Sequence, residues 1–143
     1  MAYVSQEDKK KLAVGVKKVA NKYGYKVSLS VNNHSTLVAK IKGAEDILEE
    51  YCEVQMTPDK VLEREVKHYT FSPVEVFENA SKWGHRVNEY WIPENYGEKG
   101  TAFLSEMKDA MEGEDFFCED DAMTDYFHRS HYIEMVLMTW QRN

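Results

Sequence analysis

The sequence has few of the features that mark secreted, disulfide-stabilised or membrane-spanning proteins. Its 143 residues include only two cysteines, Cys52 and Cys118, which are far apart and form no CxxC pair. Two such cysteines are too few for a disulfide framework, so we expect free thiols in a reducing compartment. The longest apolar run, Met135 to Met138, is far shorter than the roughly 20 residues of a membrane span. The first residues also lack a basic leader followed by an apolar stretch, so we expect a cytoplasmic protein with no membrane partner.

Recognisable catalytic and metal-binding motifs are equally scarce. The chain has no GxSxG, no HExxH, and neither of the glycine-rich phosphate-binding loops. Asp120, Asp121 and Asp125 lack the alternating oxygens, central Gly and closing Glu of an EF-hand. We therefore predict a protein that is not an enzyme and has no catalytic residue, metal or cofactor. A less favoured hypothesis is an enzyme whose residues come from distant parts of the chain, His128 and His131 among them.

Charge is abundant, but it is segregated along the chain. The formal net charge is −7, and residues 1–42 carry nine Lys against Glu7 and Asp8, a local charge of +7. Residues 43–111 carry −8, residues 112–125 carry −7 with no base at all, and residues 126–143 carry +1. Such an asymmetry bears on partners and solubility rather than on the fold.

The first third of the chain has the clearest secondary-structure signals. Ser5, followed by acids and ending at Gly24, predicts a helix from Gln6 to Tyr23. Two alternating runs within Tyr25–Lys42 flank the polar turn 32–35, which predicts an antiparallel hairpin. We expect the apolar side of this hairpin to pack against the first helix; it comprises Val27, Leu29, Leu37, Ala39 and Ile41.

The rest of the chain predicts helices between two further strands. Helices are expected from about Ala44 to Glu53, after Thr57-Pro58, after Ser72-Pro73, and over Phe103–Met111. The second of these has Leu62, Val66 and Tyr69 at helical spacing, and the third has Val76, Phe77, Ala80 and Trp83. Strands are expected at Val87–Ile92 and within Tyr126–Trp140, the last with both faces apolar and therefore central. The sequence thus predicts a single α+β domain over residues 1–143, with one antiparallel sheet of about four strands, helices on a face, and the order α-β-β-α-α-α-β-α-β.

The dense acidic segment 112–125 is the leading candidate for a binding site. Phe116 and Phe117 lie among its acids, as apolar anchors do in protein interfaces. The predicted partner-binding residues are Glu112, Glu114, Asp115, Phe116, Phe117, Glu119, Asp120, Asp121 and Asp125. The partner would be a protein with a basic surface. The competing interpretation is a solvated loop, which is the usual role of a charge run.

The lysines of the first third are the basis of an alternative. Side chains of helix 1 and the hairpin could contact phosphates in a nucleic-acid-binding module; they are Lys11, Lys18, Lys22, Lys26, Lys40 and Lys42. The absence of Arg among them and the negative net charge weigh against this. The competing interpretation is a solvated lysine face, which could also face the acidic half of a second copy in a homodimer.

Three stretches of the sequence resemble a group of small domains. They are Val4–Ala13, the hairpin segment Lys26–Ser35, and the closing Asp125-Tyr126-Phe127 with Tyr132, Ile133 and Trp140. The chain resembles the large polyvalent protein-associated domain group of bacteriophages and other mobile elements, mainly at its two ends. The stretch of about 53–84 then corresponds to a helical insertion. The resemblance implies a phage or mobile-element origin and an accessory role, and it transfers no functional residue.

Taken together, these features predict a non-enzymatic accessory protein of a phage or mobile element. Its acidic surface would bind and inhibit a host nucleic-acid-handling defence protein, of the restriction or CRISPR type. The alternative is a small nucleic-acid-binding module that uses the Lys-rich face of helix 1 and the hairpin.

Overall fold

The first helix begins and ends where its capping residues predict. In the computed structural model, which describes residues 4–113 and 131–139, α1 covers Gln6–Tyr23. The Ser5 hydroxyl accepts a hydrogen bond from the Asp8 amide at 3.0 Å, and the Asp8 carboxylate accepts one from the Ser5 amide at 3.1 Å. This capping box satisfies amides that have no partner within the helix. Gly24 ends α1 in the left-handed conformation, at φ +83°.

The predicted hairpin is confirmed. Strands β1, Lys26–Asn32, and β2, Thr36–Lys42, pair antiparallel, with Leu29 opposite Ala39 and Lys26 opposite Lys42. Asn33 and His34 have positive φ in the connecting turn, as the polar turn cluster predicts.

Three helices follow the hairpin in the predicted order. They are α2, Glu45–Gln55, α3, Pro58–Lys67, and α4, Pro73–Lys82. Both α3 and α4 begin with a proline in the first turn, and the Ser72 hydroxyl accepts a hydrogen bond from the Glu75 amide at the start of α4.

The next strand is shorter than predicted. Strand β3 is His85–Arg86 rather than Val87–Ile92, and a one-turn helix, α5, occupies Ile92–Asn95. The Asn88 side chain accepts a hydrogen bond from the Tyr90 amide at 3.1 Å, so the chain turns here instead of continuing as a strand. Helix α6, Glu98–Glu112, and strand β4, Tyr132–Met138, complete the described elements.

The α+β class and the order of the predicted elements are confirmed, but the sheet is mixed rather than wholly antiparallel. Its strand order is β1-β2-β4-β3, with β4 central as predicted. Strand β4 runs parallel to β2 and antiparallel to β3. A parallel pair needs a long crossover connection, and the helices between β2 and β4 lie within that connection.

The main core lies between one face of the sheet and the helices. Leu37 and Ile41 of β2, Leu137 of β4, and Phe103 and Met107 of α6 are completely buried in it. Helix α1 packs beside α6 and over β1. Val38, Val136 and Met138 form a small separate cluster on the opposite face of the sheet.

None of the helices in the described ranges is long and apolar enough to cross a membrane.

Candidate protein-docking surface

The structure describes one of the nine residues predicted to bind a partner. Glu112 is the last residue of α6 and is half-buried. The other eight lie outside the described residues; they are Glu114, Asp115, Phe116, Phe117, Glu119, Asp120, Asp121 and Asp125. The acidic segment therefore stays a prediction, and only its first residue can be placed in the fold.

Glu112 occupies a position that disfavours its charge. Burial raises the pKa of its carboxyl; the nearby carboxylates of Glu89 and Asp109 raise it further, while Lys108 acts in the opposite direction. An acid at the C-terminal end of a helix also opposes the helix dipole. Glu112 is thus poorly suited to be a freely exposed anchor charge.

A second acidic surface, which the sequence does not single out, lies on α2. This helix contains five acids and no base. Asp46 accepts a hydrogen bond from the Tyr25 hydroxyl at 2.8 Å and pairs with Lys99, and the Glu50 carboxylate accepts one from the Gly100 amide at 2.7 Å. The contacts with Lys99 and Gly100 attach α2 to the start of α6. Glu49 and Glu53 lie one turn apart and are exposed, so they give α2 an acidic outer side.

Helix α3 presents apolar side chains to solvent. It contains no buried residue, and Leu62 and Val66 are 61% and 71% exposed. The helix is held to α2 by Arg64, whose guanidinium donates one hydrogen bond to the Gln55 side chain at 3.0 Å and another to the Gln55 carbonyl. Leu62 and Val66 are each two residues from Arg64, so they lie on the side of α3 that faces away from α2.

Exposed apolar residues continue beyond α3. We call residues 57–83, from the start of α3 to the end of α4, the helical arm. Besides Leu62 and Val66, the arm exposes Tyr69, Val74 and Trp83, each to more than 65%. Single exposed apolar side chains are ordinary, whereas five within 27 residues make the arm the candidate docking surface.

An aromatic cluster anchors the arm at its base. The ring of Tyr51 packs against those of Phe71, His85 and Tyr96, with centroid distances of 6.2, 4.6 and 5.5 Å. Arg64 lies 4.9 Å from the centroid of the Phe71 ring. Burial lowers the pKa of His85 and raises that of Tyr51, so both rings remain neutral near pH 7. The arm is therefore attached through closely packed, uncharged rings, with the Arg64 guanidinium over Phe71.

The lysines of the alternative hypothesis do not share one face. Alternation along the hairpin puts Lys26, Lys40 and Lys42 on the side of the sheet opposite α1, and all three are exposed. Lys22 of α1 instead pairs with Glu106 of α6 at 2.8 Å on the helical side. The sheet thus divides the predicted basic face into two.

The side chains that most often serve as nucleophiles, general acids or bases, or metal ligands are dispersed through the described residues. No group of three or more His, Cys, Asp or Glu residues within 4–113 and 131–139 is arranged to hold a metal ion. His131 is buried, with Nε2 2.8 Å from the Met111 carbonyl oxygen, and His128 lies outside the described residues. Cys52 is buried, and burial raises the pKa of its thiol, which disfavours the reactive thiolate.

Comparisons with known proteins leave the family open. The chain matches no family model. It matches no curated protein, and no solved structure. The resemblance to the mobile-element domain group, the helical insertion and the absence of enzymatic activity therefore remain predictions.

Proposed function

We propose that this chain is a non-catalytic accessory protein that binds a partner protein with a basic surface. One observation supports this most directly. Helices α2 and α3 together, residues 45–67, carry eight acids against three bases, a net charge of −5, while Met56, Leu62 and Val66 on them are more than half exposed. Acids steer and orient a cationic partner, and apolar side chains supply the affinity when they are buried.

The exposed apolar side chains would supply a substantial part of the free energy that a specific complex needs. Burying one Val or Leu side chain contributes about 1.5–3 kcal/mol. Trp83, at 79% exposed, is of the residue type most enriched among binding hot spots. Two or three such side chains, with electrostatic steering from Glu49 and Glu53, would offset much of the entropic cost of association.

The partner class that we propose is a nucleic-acid-handling defence protein of a host cell, of the restriction or CRISPR type. Such proteins have basic grooves for a polyanion, and the acids of this chain are suited to occupy one. The segment 112–125, with −7 and no base, supports the same proposal. The resemblance to a mobile-element domain implies an accessory protein. Such a protein would act in the cytoplasm of the host.

The test is affinity capture from a bacterial host lysate, followed by a nuclease assay on the captured protein. We expect Leu62→Ser with Val66→Ser, and separately Glu49→Gln with Glu53→Gln, to reduce capture at least tenfold. Val14→Ser is the matched control, because Val14 is 73% exposed but lies on α1. Equal capture by all variants, or a captured protein whose nuclease activity is unchanged by this chain, would contradict the proposal.

A second candidate function rests on the sheet rather than on the helices. Lys26 lies directly opposite Lys42 on β1 and β2, and Lys40 lies on the same face of the sheet. This cluster could contact phosphates, in a complex that weakens steeply as salt rises. A gel shift with generic DNA and RNA tests it: Lys26, Lys40 and Lys42→Gln should abolish a salt-sensitive shift. The same changes at Lys60, Lys67 and Lys82 should leave the shift in place.

A further inference from the structure

The two edges of the sheet differ sharply in length. Strand β3, at one edge, has only two residues, whereas β1, at the other, has seven. Short strands, prolines, bulges and central charges are the usual means by which proteins block edge-to-edge pairing. The stretch Val27–Val31 in the middle of β1 contains no proline and no charge. Within residues 4–113 and 131–139, one edge is thus protected by its shortness, and no strand pairs with the outer side of β1 at the other.

The side of β1 that faces the helices is incompletely covered. Val27, Leu29 and Val31 are half-buried, although they face the same layer as their neighbours on β2. Those neighbours, Leu37, Ala39 and Ile41, are completely buried. An additional strand beside β1 would cover the remaining apolar surface and extend the core.

The sequence of β1 is complementary to itself. Val27-Ser28-Leu29-Ser30-Val31 reads the same in both directions. In an antiparallel pair with a second copy centred on Leu29, each Val would face a Val, each Ser a Ser, and Leu29 its own equivalent. Lys26 would face Asn32 rather than another lysine, so no like charges would oppose each other along the strand. Twofold symmetric interfaces require this kind of self-complementarity.

We propose that β1 pairs antiparallel with β1 of a second copy about a twofold axis at Leu29. Two four-stranded sheets would then form one sheet of eight strands. The contact is independent of the helical arm, which lies elsewhere in the sequence and packs against α2, β3 and β4. The residues 1–42 of both copies carry +7, so added salt should strengthen this dimer. A dimer that joined the Lys face to an acidic surface would instead weaken with salt.

Charge exchange at the exposed serines tests the proposal. We expect wild-type protein to sediment at twice its monomer mass of 16.7 kDa. Ser28→Lys with Ser30→Lys, and separately Ser28→Glu with Ser30→Glu, should each give monomers, because each puts like charges opposite one another twice. An equimolar mixture of the two variants should dimerise again. Ala102→Lys with Ser105→Lys adds the same charge at exposed positions of α6 and should leave the dimer intact.

Cysteine cross-linking tests the register. Paired residues lie about 5 Å apart across an antiparallel ladder, within disulfide reach, whereas diagonal neighbours lie about 7–8 Å apart. A mixture of Ser28→Cys and Ser30→Cys proteins should therefore cross-link on mild oxidation, and each variant alone should not, with wild type controlling for the native cysteines. A monomeric wild type, a dimer indifferent to the charge variants, or cross-linking that does not depend on mixing would each overturn the proposal.

Discussion

Two regions of the molecule, α1 with the hairpin and the helical arm, both have apolar residues at regular spacing, but they bury these side chains to different extents. In the first unit, Leu37 and Ile41 lie in the core with no exposed surface. In the arm, Leu62 and Val66 keep well over half of theirs. Periodicity indicates only that a helix or strand has an apolar face, while burial depends on whether another element covers that face. The contrast shows which apolar residues stabilise this fold and which remain available to a partner.

The largest expected effect on stability comes from making the same substitution, Leu to Ala, in each of the two regions. Leu37→Ala leaves a cavity in a completely buried site and should reduce the free energy of unfolding by about 2–5 kcal/mol. Leu62→Ala removes the same atoms from an exposed site and should change it by less than about 0.5 kcal/mol. Urea denaturation of the two variants provides the measurement. Equal losses would mean that the arm is covered in solution and that its apolar residues belong to the core.

The next largest effect concerns the point at which the arm rejoins the sheet. Gly84 has φ +94°, and a Cβ at this position would overlap the Val136 side chain. Gly24 has φ +83°, and a Cβ there would have no atom within 4 Å beyond its own chain neighbours. Gly24→Ala therefore introduces only backbone strain of about 1–2 kcal/mol. Gly84→Ala adds an overpacking cost of about 1–3 kcal/mol.

Thermal unfolding of the two alanine variants tests this difference. A lower melting temperature for Gly84→Ala than for Gly24→Ala is expected. If the two melting temperatures were equal, the Val136 side chain would be packed loosely enough to accommodate a Cβ at position 84. The contact between Gly84 and Val136 would then not determine where the arm rejoins the sheet.

A smaller effect compares the starts of α1 and α3. Ser5→Ala removes a hydroxyl that accepts from the Asp8 amide and should lower stability by about 1 kcal/mol. The Thr57 hydroxyl donates to the Val54 carbonyl and does not cap α3, so Thr57→Ala should have the smaller effect.

The Ser5→Ala loss should also depend on pH. The Ser5 amide, followed by the Ser5 hydroxyl, lowers the pKa of Asp8. A lowered carboxyl pKa gives stability that is present above the ordinary value near 4 and is lost as pH falls through the folded-state value. Denaturation at pH 7 and pH 3 should therefore show a smaller Ser5→Ala loss at pH 3. A pH-independent loss would show that the Ser5 hydroxyl does not stabilise the Asp8 carboxylate.

Local signals predict the first unit because its contacts are local. Ser5, Gly24 and the polar turn fix α1 and the hairpin through hydrogen bonds between residues close in sequence. The parallel pairing of β2 with β4 depends on a long crossover, and alternation within each strand carries no information about direction. The strand predicted at Val87–Ile92 is wrong because the Asn88 side chain bonds to the backbone and turns the chain there.

The candidate docking surface is harder to predict from the sequence, because the exposure of a side chain depends on contacts between residues far apart in the chain. Leu62, Val66 and Trp83 have the spacing of core residues, and that spacing alone does not reveal that they are exposed. A usable signal is Glu63-Arg64-Glu65, which leaves α3 with too narrow an apolar stripe for a helix enclosed by others. The exposed acids of α2 are likewise visible only once Asp46 and Glu50 are seen to bond to α6.

The smallest expected effect extends the comparison from apolar residues to acids. Glu112 is half-buried at the C-terminal end of α6, whereas Glu53 is exposed on α2, so Glu112→Gln and Glu53→Gln remove the same charge from different surroundings. Because burial raises the pKa of Glu112, its carboxylate destabilises the folded state at pH 7. Glu112→Gln should therefore raise the melting temperature at pH 7. This gain in stability should shrink as pH falls through the raised pKa. It should vanish below about pH 4, where the Glu112 carboxyl is protonated in both the folded and the unfolded state. Glu53→Gln should give a smaller change at pH 7. A Glu112→Gln variant less stable than wild type at pH 7 would show instead that the carboxylate is paired, and that the acidic segment begins as part of the scaffold rather than as a binding surface.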